Sequence, residues 1–305
     1  MSSVSNSLAA ETGMPETQVS QILRTACHRY KVYKIPKRNG VGKRTIAHPS
    51  REVKRLQRLA HRLFLNKLPV HGAAHAYVTG RAIRTNAAMH LDARFVLKLD
   101  FRNFFPSIRP PHFVLHVAKH LPGQLEQSDL DDLIPLLFWL PKHQNGLRLA
   151  IGAPTSPFIS NSLVFDIDVA IADLASGIGA VYTRYADDLT FSTSIAHALD
   201  HVEDAVRSIL SAAPYPKLRL NKRKTVFASM RGRRQVTGIV VTNNGALSIG
   251  RHRKRLIRAM YHRSLRGELD DGEIRRLAGL LAFANDIEPD FVERLRRPKP
   301  LGARD

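Results

Sequence analysis

Two adjacent aspartates between runs of β-forming residues constrain this chain more than any other feature. Asp187 and Asp188 stand in the run Val181-Tyr-Thr-Arg-Tyr-Ala-Asp-Asp-Leu-Thr-Phe-Ser192. This pattern predicts two short strands that meet at a tight turn carrying both carboxylates. Acidic side chains among apolar strands are costly unless a cation compensates them, and a hard divalent cation prefers oxygen ligands. The pairs Asp131-Asp132 and Asp270-Asp271 lie in polar surroundings and are interpreted as solvated surface.

A second strand-like segment also ends in an acid. Phe95 to Leu99 is an apolar run, and Asp100 follows it directly. Phosphoryl transfer with two metal ions needs carboxylates from separate segments, which hold the ions roughly 3.5–4 Å apart. We therefore predict that Asp100 and Asp187 bridge two ions and that Asp188 is a weaker or alternate ligand. Taken alone, Asp100 fits equally well as an acid that caps a turn before Asn103.

Seven segments resemble, in order, the motifs of a reverse transcriptase, and specifically of a bacterial retron reverse transcriptase. Five of them are general to reverse transcriptases: Ile35-Pro-Lys-Arg-Asn-Gly40 with Lys43-Arg-Thr-Ile46, Leu97 to Ile108, Gly152-Ala-Pro-Thr-Ser-Pro157 with Ser160-Asn161, Tyr185 to Asp188, and Leu220-Asn-Lys-Arg-Lys-Thr225. The other two are similar to retron signatures: Asn86-Ala-Ala-Met-His90 and Val236-Thr-Gly238. Ile151 departs from the family, in which many members carry glutamine before the Gly-Ala-Pro run. That departure puts in doubt any nucleotide contact a glutamine would make.

The resemblance implies a mixed α+β protein with the right-hand polymerase fold. Its parts would be an N-terminal helix and fingers in residues 1–95, a palm in 96–240 with a helical insertion at about 111–149, and a basic helical thumb in 241–305. The palm would consist of an antiparallel sheet with the catalytic hairpin. Local patterns further predict a frayed polar end at 1–14, a β-hairpin within 31–47 and a buried helix from Ser156 to Leu174.

Composition agrees with a nucleic-acid partner. The chain has 305 residues and a formal net charge of +21, with 47 Lys and Arg against 26 Asp and Glu. Such an excess favours a polyanion as partner. The single Cys27 excludes an internal disulfide and a cysteine zinc site. No apolar run is long enough to span a membrane, and the N-terminus lacks an apolar signal core, so we expect a cytoplasmic protein without a membrane partner.

The resemblance assigns roles around the metal site. Asp100, Asp187 and Asp188 would be catalytic and would bind two Mg²⁺ ions, for which Mn²⁺ is a substitute. The backbone carbonyl of Phe101 would be a further metal ligand. Lys224 would assist the leaving pyrophosphate as a cation or proton donor, although contact with an RNA phosphate is nearly as consistent with its position.

Further residues are assigned to the incoming nucleotide. Arg44 and Lys37 would face its phosphates from the fingers hairpin, unless they are only a solvated face. Phe105 matches the position of an aromatic gate that rejects a 2′-hydroxyl, with core packing as the other reading. Gly152 and Ala153 would let the backbone approach the nucleotide, or would form an ordinary turn before a helix.

Two groups of residues are predicted to bind RNA. A basic helix in the thumb carries like charges three and four residues apart, and a phosphate backbone would relieve their repulsion. Its residues are Arg251, Arg253, Lys254, Arg255 and Arg258. Asn86 and His90 would engage the structured RNA, or would be a locally hydrogen-bonded Asn and a partly buried His.

These assignments predict an RNA-directed DNA polymerase. Family resemblance implies a cognate structured non-coding RNA as template and partner, deoxynucleoside triphosphates as substrates, a primer 2′-hydroxyl on the same RNA and a branched RNA–DNA product. It also implies a role in antiphage defence together with an effector protein. The alternatives are a group II intron-like or diversity-generating reverse transcriptase and a catalytically silent RNA-binding scaffold.

Overall fold

The computed structural model describes residues 2–37, 40, 42–142 and 144–297. Helices α1 to α13 are Ser3–Thr12, Glu16–Thr25, Arg51–Ala60, Ile83–Ala88, Phe104–Ser107, Pro110–His120, Gln127–Leu137, Ser156–Leu163, Phe165–Gly177, Val202–Ala212, Arg251–Leu265, Asp271–Ile287 and Pro289–Arg296. Strands β1 to β9 are Tyr30–Pro36, Lys43–Pro49, Phe95–Asp100, Val181–Tyr185, Asp188–Thr193, Val226–Ser229, Gln235–Val236, Ile239–Val241 and Leu247–Ser248. Every strand pairing is antiparallel. The chain is therefore mixed α+β, as predicted.

The N-terminal residues form a buried helix, so the prediction of a frayed end is wrong. Ser2 caps α1 by accepting a hydrogen bond from its backbone, and Val4 and Leu8 are fully buried. Asp129 on α7 accepts a hydrogen bond from the backbone N–H of Val4 at 3.1 Å. The polar sequence hides this helix because its stability comes from packing against α2, α3 and α7 rather than from local propensity.

The fingers hairpin is confirmed. Strands β1 and β2 pair in register from Tyr30 opposite Pro49 to Pro36 opposite Lys43. Asn39, at the predicted tip, lies outside the described residues. The hairpin is attached to the rest of the chain by a hydrogen bond from Ala47 N–H to the carbonyl of Ile151 at 2.9 Å.

Four strands in the order β4-β5-β3-β6 form the palm sheet. The buried helix predicted to start at Ser156 is two helices, α8 and α9, which meet at Val164. Polar side chains on both sides of this break, Asn161 and Asp168, accept hydrogen bonds from Arg184 on β4. The local pattern does not reveal the break because apolar residues continue through it.

A second hydrophobic core lies at the C-terminal end. It joins Ile257 of α11 and Phe291 of α13 to Val236 and Ile239 of the small sheet β7-β8-β9 and to Ala87 of α4. This sheet has three strands, and Thr237 and Gly238 turn the chain between β7 and β8 with positive φ of 48° and 86°. The sheet begins before residue 240, so this C-terminal core includes residues that the sequence assigns to the palm.

A buried ion pair ties the palm together. Arg184 and Asp168 are both inaccessible to solvent, and the guanidinium is bidentate, with Nη2 at 2.6 Å from Oδ2 and Nε at 2.9 Å from Oδ1. Tyr182 donates a further hydrogen bond to Asp168 at 2.7 Å. The remaining guanidinium nitrogen donates to Asn161 and to the carbonyl of Ala186, both at 3.1 Å. Every charged group of this network therefore has a partner.

Replacing Asp168 with Ala should destabilise the fold by about 3–5 kcal/mol, because it leaves a buried guanidinium without a counter-charge. Urea unfolding measures the change. Asp173→Ala on the exposed side of α9 is the matched control and should stay within about 0.5 kcal/mol of the parent. An Asp168→Ala variant as stable as the control would contradict the role of the pair.

Candidate active site

Strand register brings the three predicted catalytic aspartates together. Antiparallel pairing of β3 with β5 sets Asp100 directly opposite Asp188. One residue further on, the N–H of Phe101 donates to the carbonyl of Asp187 at 2.9 Å. Because this pairing fixes the position of each residue, Asp100 at the end of β3 and the two acids of the hairpin lie at the same end of the sheet.

The hairpin turn is strained and held by Arg184. Strands β4 and β5 pair up to Tyr185 opposite Asp188, which leaves Ala186 and Asp187 as the two turn residues. Ala186 has a φ of 57°, a left-handed conformation that costs a non-glycine residue about 1–3 kcal/mol. The hydrogen bond from the buried Arg184 guanidinium to the Ala186 carbonyl stabilises this turn.

Burial and mutual repulsion disfavour the ionised forms of Asp187 and Asp188. Burial, followed by the charge of Asp187, raises the pKa of Asp188 to about 6. Burial, followed by Asp100, also raises the pKa of Asp187, while Lys224 and Arg44 oppose that rise. A cation among these carboxylates would relieve the cost.

Lys224 is the nearest such cation. Its Nζ lies 2.6 Å from Oδ2 of Asp100, and Asn221 donates to Oδ1 of the same carboxylate at 3.4 Å. Burial lowers the pKa of Lys224, but its hydrogen bond to Asp100 and the charges of the three aspartates outweigh this and raise it. The amine is therefore protonated at neutral pH beside the acids, where the sequence predicts a cation or proton donor.

The donor set fits divalent metal ions, the class of cofactor that the sequence resemblance implies. Among the described residues, these three buried or half-buried carboxylates have one ion pair, between Asp100 and Lys224, and the Phe101 carbonyl is adjacent in the chain. These carboxylates do not all lie within 4.8 Å of one another; in the described part of the chain only His116, His120 and Asp166 do. The fit of this site to two divalent ions therefore rests on the oxygen donors of the carboxylates and not on their spacing.

Most polar groups of the histidine cluster have partners without a metal, although Nδ1 of His116 is buried and has no hydrogen-bond partner among the described atoms. Lys119 and His120 contact the Asp166 carboxylate at 2.9 and 3.2 Å, and His116 shares a hydrogen bond with Ser162 at 2.7 Å. Its imidazole nitrogens also suit softer ions than Mg²⁺. The palm aspartates are therefore the better site for a hard cation.

The fingers hairpin places its basic residues differently. Arg44 on β2 is exposed, and its charge opposes the rise in the pKa of Asp187, so it acts within electrostatic range of the catalytic turn. Lys37 is exposed just beyond β1, where its backbone N–H donates to Gly42. Arg44 thus lies within electrostatic range of the acids, whereas the hydrogen bond of Lys37 to a described residue is a backbone contact within the hairpin.

Sequence reasoning missed Tyr77. This residue has a φ of 62° and is 54% exposed, although it is large and aromatic. Burial, followed by the charges of Asp187 and Tyr185, raises its pKa, and its ring lies 6.4 Å from that of Phe105. An exposed aromatic residue with left-handed backbone beside the acids marks a candidate nucleotide contact. The backbone conformation and exposure of Tyr77 identify it in the structure, and no sequence motif predicts either property.

Phe105 lies between core and solvent. It is half-buried in the short helix α5 and meets Phe104 edge-on with a centroid separation of 5.3 Å. Phe104 is buried and stacks on Phe101, so these two rings supply the core packing. Phe105 also packs against this core but stays half-exposed, with its ring 6.4 Å from that of Tyr77.

Gly152 packs against the fingers hairpin. Its φ is 122°, and an added Cβ would lie 3.0 Å from the carbonyl oxygen of Ala47 and 3.1 Å from Ile46. Ala153 is buried in a small cluster with Ala47 and Trp139. The close approach that glycine permits is thus to β2, and any nucleotide contact of Ala153 has to come from its backbone. Ile151 supplies the carbonyl that anchors β2.

The thumb helix α11 divides into two kinds of basic residue. Arg253 donates to the carbonyl of Gly238 at 3.0 Å, and Lys254 forms an ion pair with Glu288. These two are half-buried and engaged within the thumb. Their predicted RNA contact would require breaking internal bonds.

The other three thumb residues are exposed. Arg251 and Arg255 point outward, and Arg258 lies over the Phe291 ring at 5.3 Å with its side chain still accessible. In the described residues none of the three forms an ion pair with a carboxylate. They are the available cations of this helix.

Asn86 and His90 are in the core, which corrects the expectation that they contact RNA. Both are fully buried. His90 bridges Ser192 at 2.7 Å and Thr183 at 2.8 Å, and burial, followed by the charge of His75, lowers its pKa to about 3. A neutral, enclosed imidazole that links β4 and β5 positions the catalytic hairpin and has no surface to offer RNA.

Metal affinity should depend on pH because of the acids. Between about pH 4, where an unfolded Asp ionises, and the folded pKa of Asp188 of about 6, the metal-free folded state binds more protons. Its stability therefore falls as pH rises through this range. Mg²⁺ competes with the proton for the Asp188 carboxylate. The Mg²⁺ affinity should therefore be at least about fourfold higher at pH 7.5 than at pH 5.5.

Calorimetric titration at both pH values measures the Mg²⁺ affinity, and Asp188→Asn should reduce the difference between them. Equal affinities would contradict the assignment.

Comparison with known proteins agrees with this geometry. Residues 35–241 match the family model described as reverse transcriptase (RNA-dependent DNA polymerase). The chain is 39% identical over 287 residues to the Retron Ec83 reverse transcriptase of Escherichia coli, covering 93% of this chain and 90% of that protein. It is 36% identical over 292 residues to the Retron Mx65 reverse transcriptase of Myxococcus xanthus, covering 92% and 66%.

Solved structures with a similar course include a telomerase of Candida albicans in complex with a fragment of telomeric RNA. It has a TM-score of 0.49 and 14% identity, over 92% of this chain and 58% of that one. A foamy viral protease-reverse transcriptase in complex with dsDNA has a TM-score of 0.45 and 17% identity, over 91% and 54%.

No helix among the described residues combines the length and apolar character needed to cross a membrane. The matched segment begins near the end of β1 and covers β2, the palm sheet and all three aspartates, and both of these relatives exceed 30% identity over more than nine-tenths of the chain. The chain therefore belongs to the retron reverse transcriptases, which are RNA-directed DNA polymerases.

Proposed function

We propose that this protein copies a cognate structured non-coding RNA into single-stranded DNA, starting from a 2′-hydroxyl of that RNA and leaving a branched RNA–DNA product. The observation that supports the catalytic part is the pairing of β3 with β5, which sets Asp100 opposite Asp188 and beside Asp187. The RNA-primed start and a role in antiphage defence with an effector protein follow from family membership alone.

In this proposal Asp100 and Asp187, with the Phe101 carbonyl, hold two Mg²⁺ ions, and Asp188 is the weaker ligand. When bound, such ions activate the attacking hydroxyl and stabilise the leaving pyrophosphate. Arg44 neutralises the phosphates of the deoxynucleoside triphosphate from the fingers side. Lys224 keeps a proton on Nζ beside Asp100, where it meets the leaving group as a cation or proton donor.

RNA is held by the exposed cations of α11. Arg251, Arg255 and Arg258 lie on the accessible side of the helix, and phosphate contacts relieve their mutual repulsion. Such contacts position an RNA without reading its sequence. Recognition of one cognate RNA must therefore depend on its shape or on other residues.

Asp187→Asn should abolish DNA synthesis while leaving RNA binding intact. The amide keeps the size of the side chain but removes the charge that holds the cation. Loss of several kcal/mol of transition-state stabilisation corresponds to a decrease on the order of a thousandfold in rate. Primer extension on a structured RNA measures the rate, and filter binding measures affinity.

Asp131→Asn is the matched control, because Asp131 is an exposed acid on α7. It should synthesise DNA at the parent rate. Synthesis by the Asp187 variant at a rate similar to this control would remove Asp187 from the metal site.

Phe105→Ala should raise incorporation of ribonucleotides relative to deoxynucleotides. Removing the ring opens space at the 2′ position, and the preference in kcat/KM should shift by roughly tenfold or more. Phe105→Tyr retains the ring and should keep the parent preference. A folded Phe105→Ala variant with an unchanged ratio would place the gate elsewhere.

A further inference from the structure

A basic cavity opens beside the strand that carries Asp100. Its volume is about 520 Å³, within the range of ligand pockets. No acidic side chain is among its lining residues, whereas six basic ones are: Arg102, Arg109, His112, Arg148, Lys217 and Arg219. The cavity is separate from the thumb helix, since these residues come from the palm and its helical insertion.

The cations of this cavity lack counter-charges. In the described part of the chain, none of its four arginines or Lys217 forms an ion pair with a carboxylate. Their contacts are to neutral groups: Arg148 and Arg109 reach the Asn145 carbonyl at 3.2 and 3.5 Å, and Lys217 donates to the Ala213 carbonyl at 2.7 Å. The Nε of Arg148 is buried and has no acceptor among the described atoms.

Like charges meet at close range here. Burial, followed by the charge of Arg109, lowers the pKa of Arg148. Burial, followed by Arg109 and Lys217, lowers the pKa of His112. An anion in the cavity would relieve this repulsion, because an opposite charge within a few ångströms favours the charged forms of these groups.

The cavity adjoins the catalytic strand without being part of the metal site. Arg102 follows Asp100 by two residues, and its N–H donates to the carbonyl of Arg219 at 2.8 Å. The next residue along, Leu220, bridges to Phe101. Arg102 and Arg219 thus flank the segment that fixes Asp100. Neither arginine is among the residues assigned to metal or nucleotide binding.

We propose that this cavity binds phosphate groups. Guanidinium forks match phosphate oxygens in a bidentate way, and a cluster of them selects phosphate over a single carboxylate. The phosphodiesters of an RNA strand that passes along the palm are one source. A free polyphosphate, such as an entering or leaving nucleotide fragment, presents the same chemistry. The inference goes beyond the proposed function, since it requires neither metal nor catalysis.

The test replaces three exposed arginines of the cavity together, Arg102→Gln, Arg109→Gln and Arg219→Gln. Affinity for an RNA hairpin of about twenty base pairs is measured at several salt concentrations with EDTA present. Each lost phosphate contact lowers the slope of log K against log salt by roughly 0.7–0.9. Three lost contacts should lower it by about 2–3.

The matched control removes the same charge elsewhere, with Arg24→Gln, Arg51→Gln and Arg58→Gln on α2 and α3. It should keep the slope close to that of the parent, which separates local contact from a change in net charge. A thumb variant, Arg251→Gln with Arg255→Gln, reports on the proposed RNA contact of α11 separately. If the thumb variant has a smaller salt slope and the cavity variant keeps the parent slope, RNA contact at the cavity is refuted and RNA contact at α11 is not.

A second arm titrates inorganic tripolyphosphate calorimetrically, again without metal. A reduced RNA slope in the cavity variant supports the phosphodiester source. Loss of tripolyphosphate binding with an unchanged RNA slope supports the free polyphosphate. If the cavity variant matches the control in both arms, and its thermal unfolding shows that it is folded, the phosphate site is refuted.

Discussion

The catalytic hairpin depends on the buried contact between Arg184 and Asp168. An isolated guanidinium in the protein interior would be prohibitively costly, yet here every one of its nitrogens has an acceptor. That completeness lets one side chain connect β4, α8, α9 and the carbonyl of Ala186 in the turn. The turn needs such support, because it combines a left-handed alanine with two acids that repel each other.

Register is the second constraint on the site. Asp100 faces Asp188 only if β3 and β5 pair as they do, because a slip of one residue would turn every side chain to the opposite face. The N–H of Phe101, one residue beyond β3, continues this pairing by donating to the carbonyl of Asp187, and further hydrogen bonds hold the segments beside the two strands. His90 joins Thr183 on β4 to Ser192 on β5, and Asn221 N–H donates to the backbone carbonyl of Asp100 at 2.7 Å. A small number of enclosed polar contacts thus fixes where the negative charge accumulates.

The strand ends that carry the catalytic aspartates can be predicted from the sequence. The β-forming residues around Asp187 and the apolar run before Asp100 predict the two strand ends, since strands that are buried on both faces carry near-continuous runs of such residues. The sequence does not reveal which polar residues are enclosed. Asn86 and His90 look like exposed recognition residues, and Arg184 looks like any basic residue in a strand, because partners distant in the chain decide their burial. The break at Val164 and the backbone of Tyr77 are tertiary effects of the same kind.

The central claim is that three carboxylates from paired strands hold two divalent ions. Electron paramagnetic resonance of Mn²⁺ bound to the protein with a deoxynucleoside triphosphate tests it directly. The account predicts two ions per chain, with the spin–spin coupling expected of ions roughly 3.5–4 Å apart, and loss of the coupled signal in Asp100→Asn. One uncoupled ion in the parent protein, or a coupled pair that survives Asp100→Asn, would contradict it.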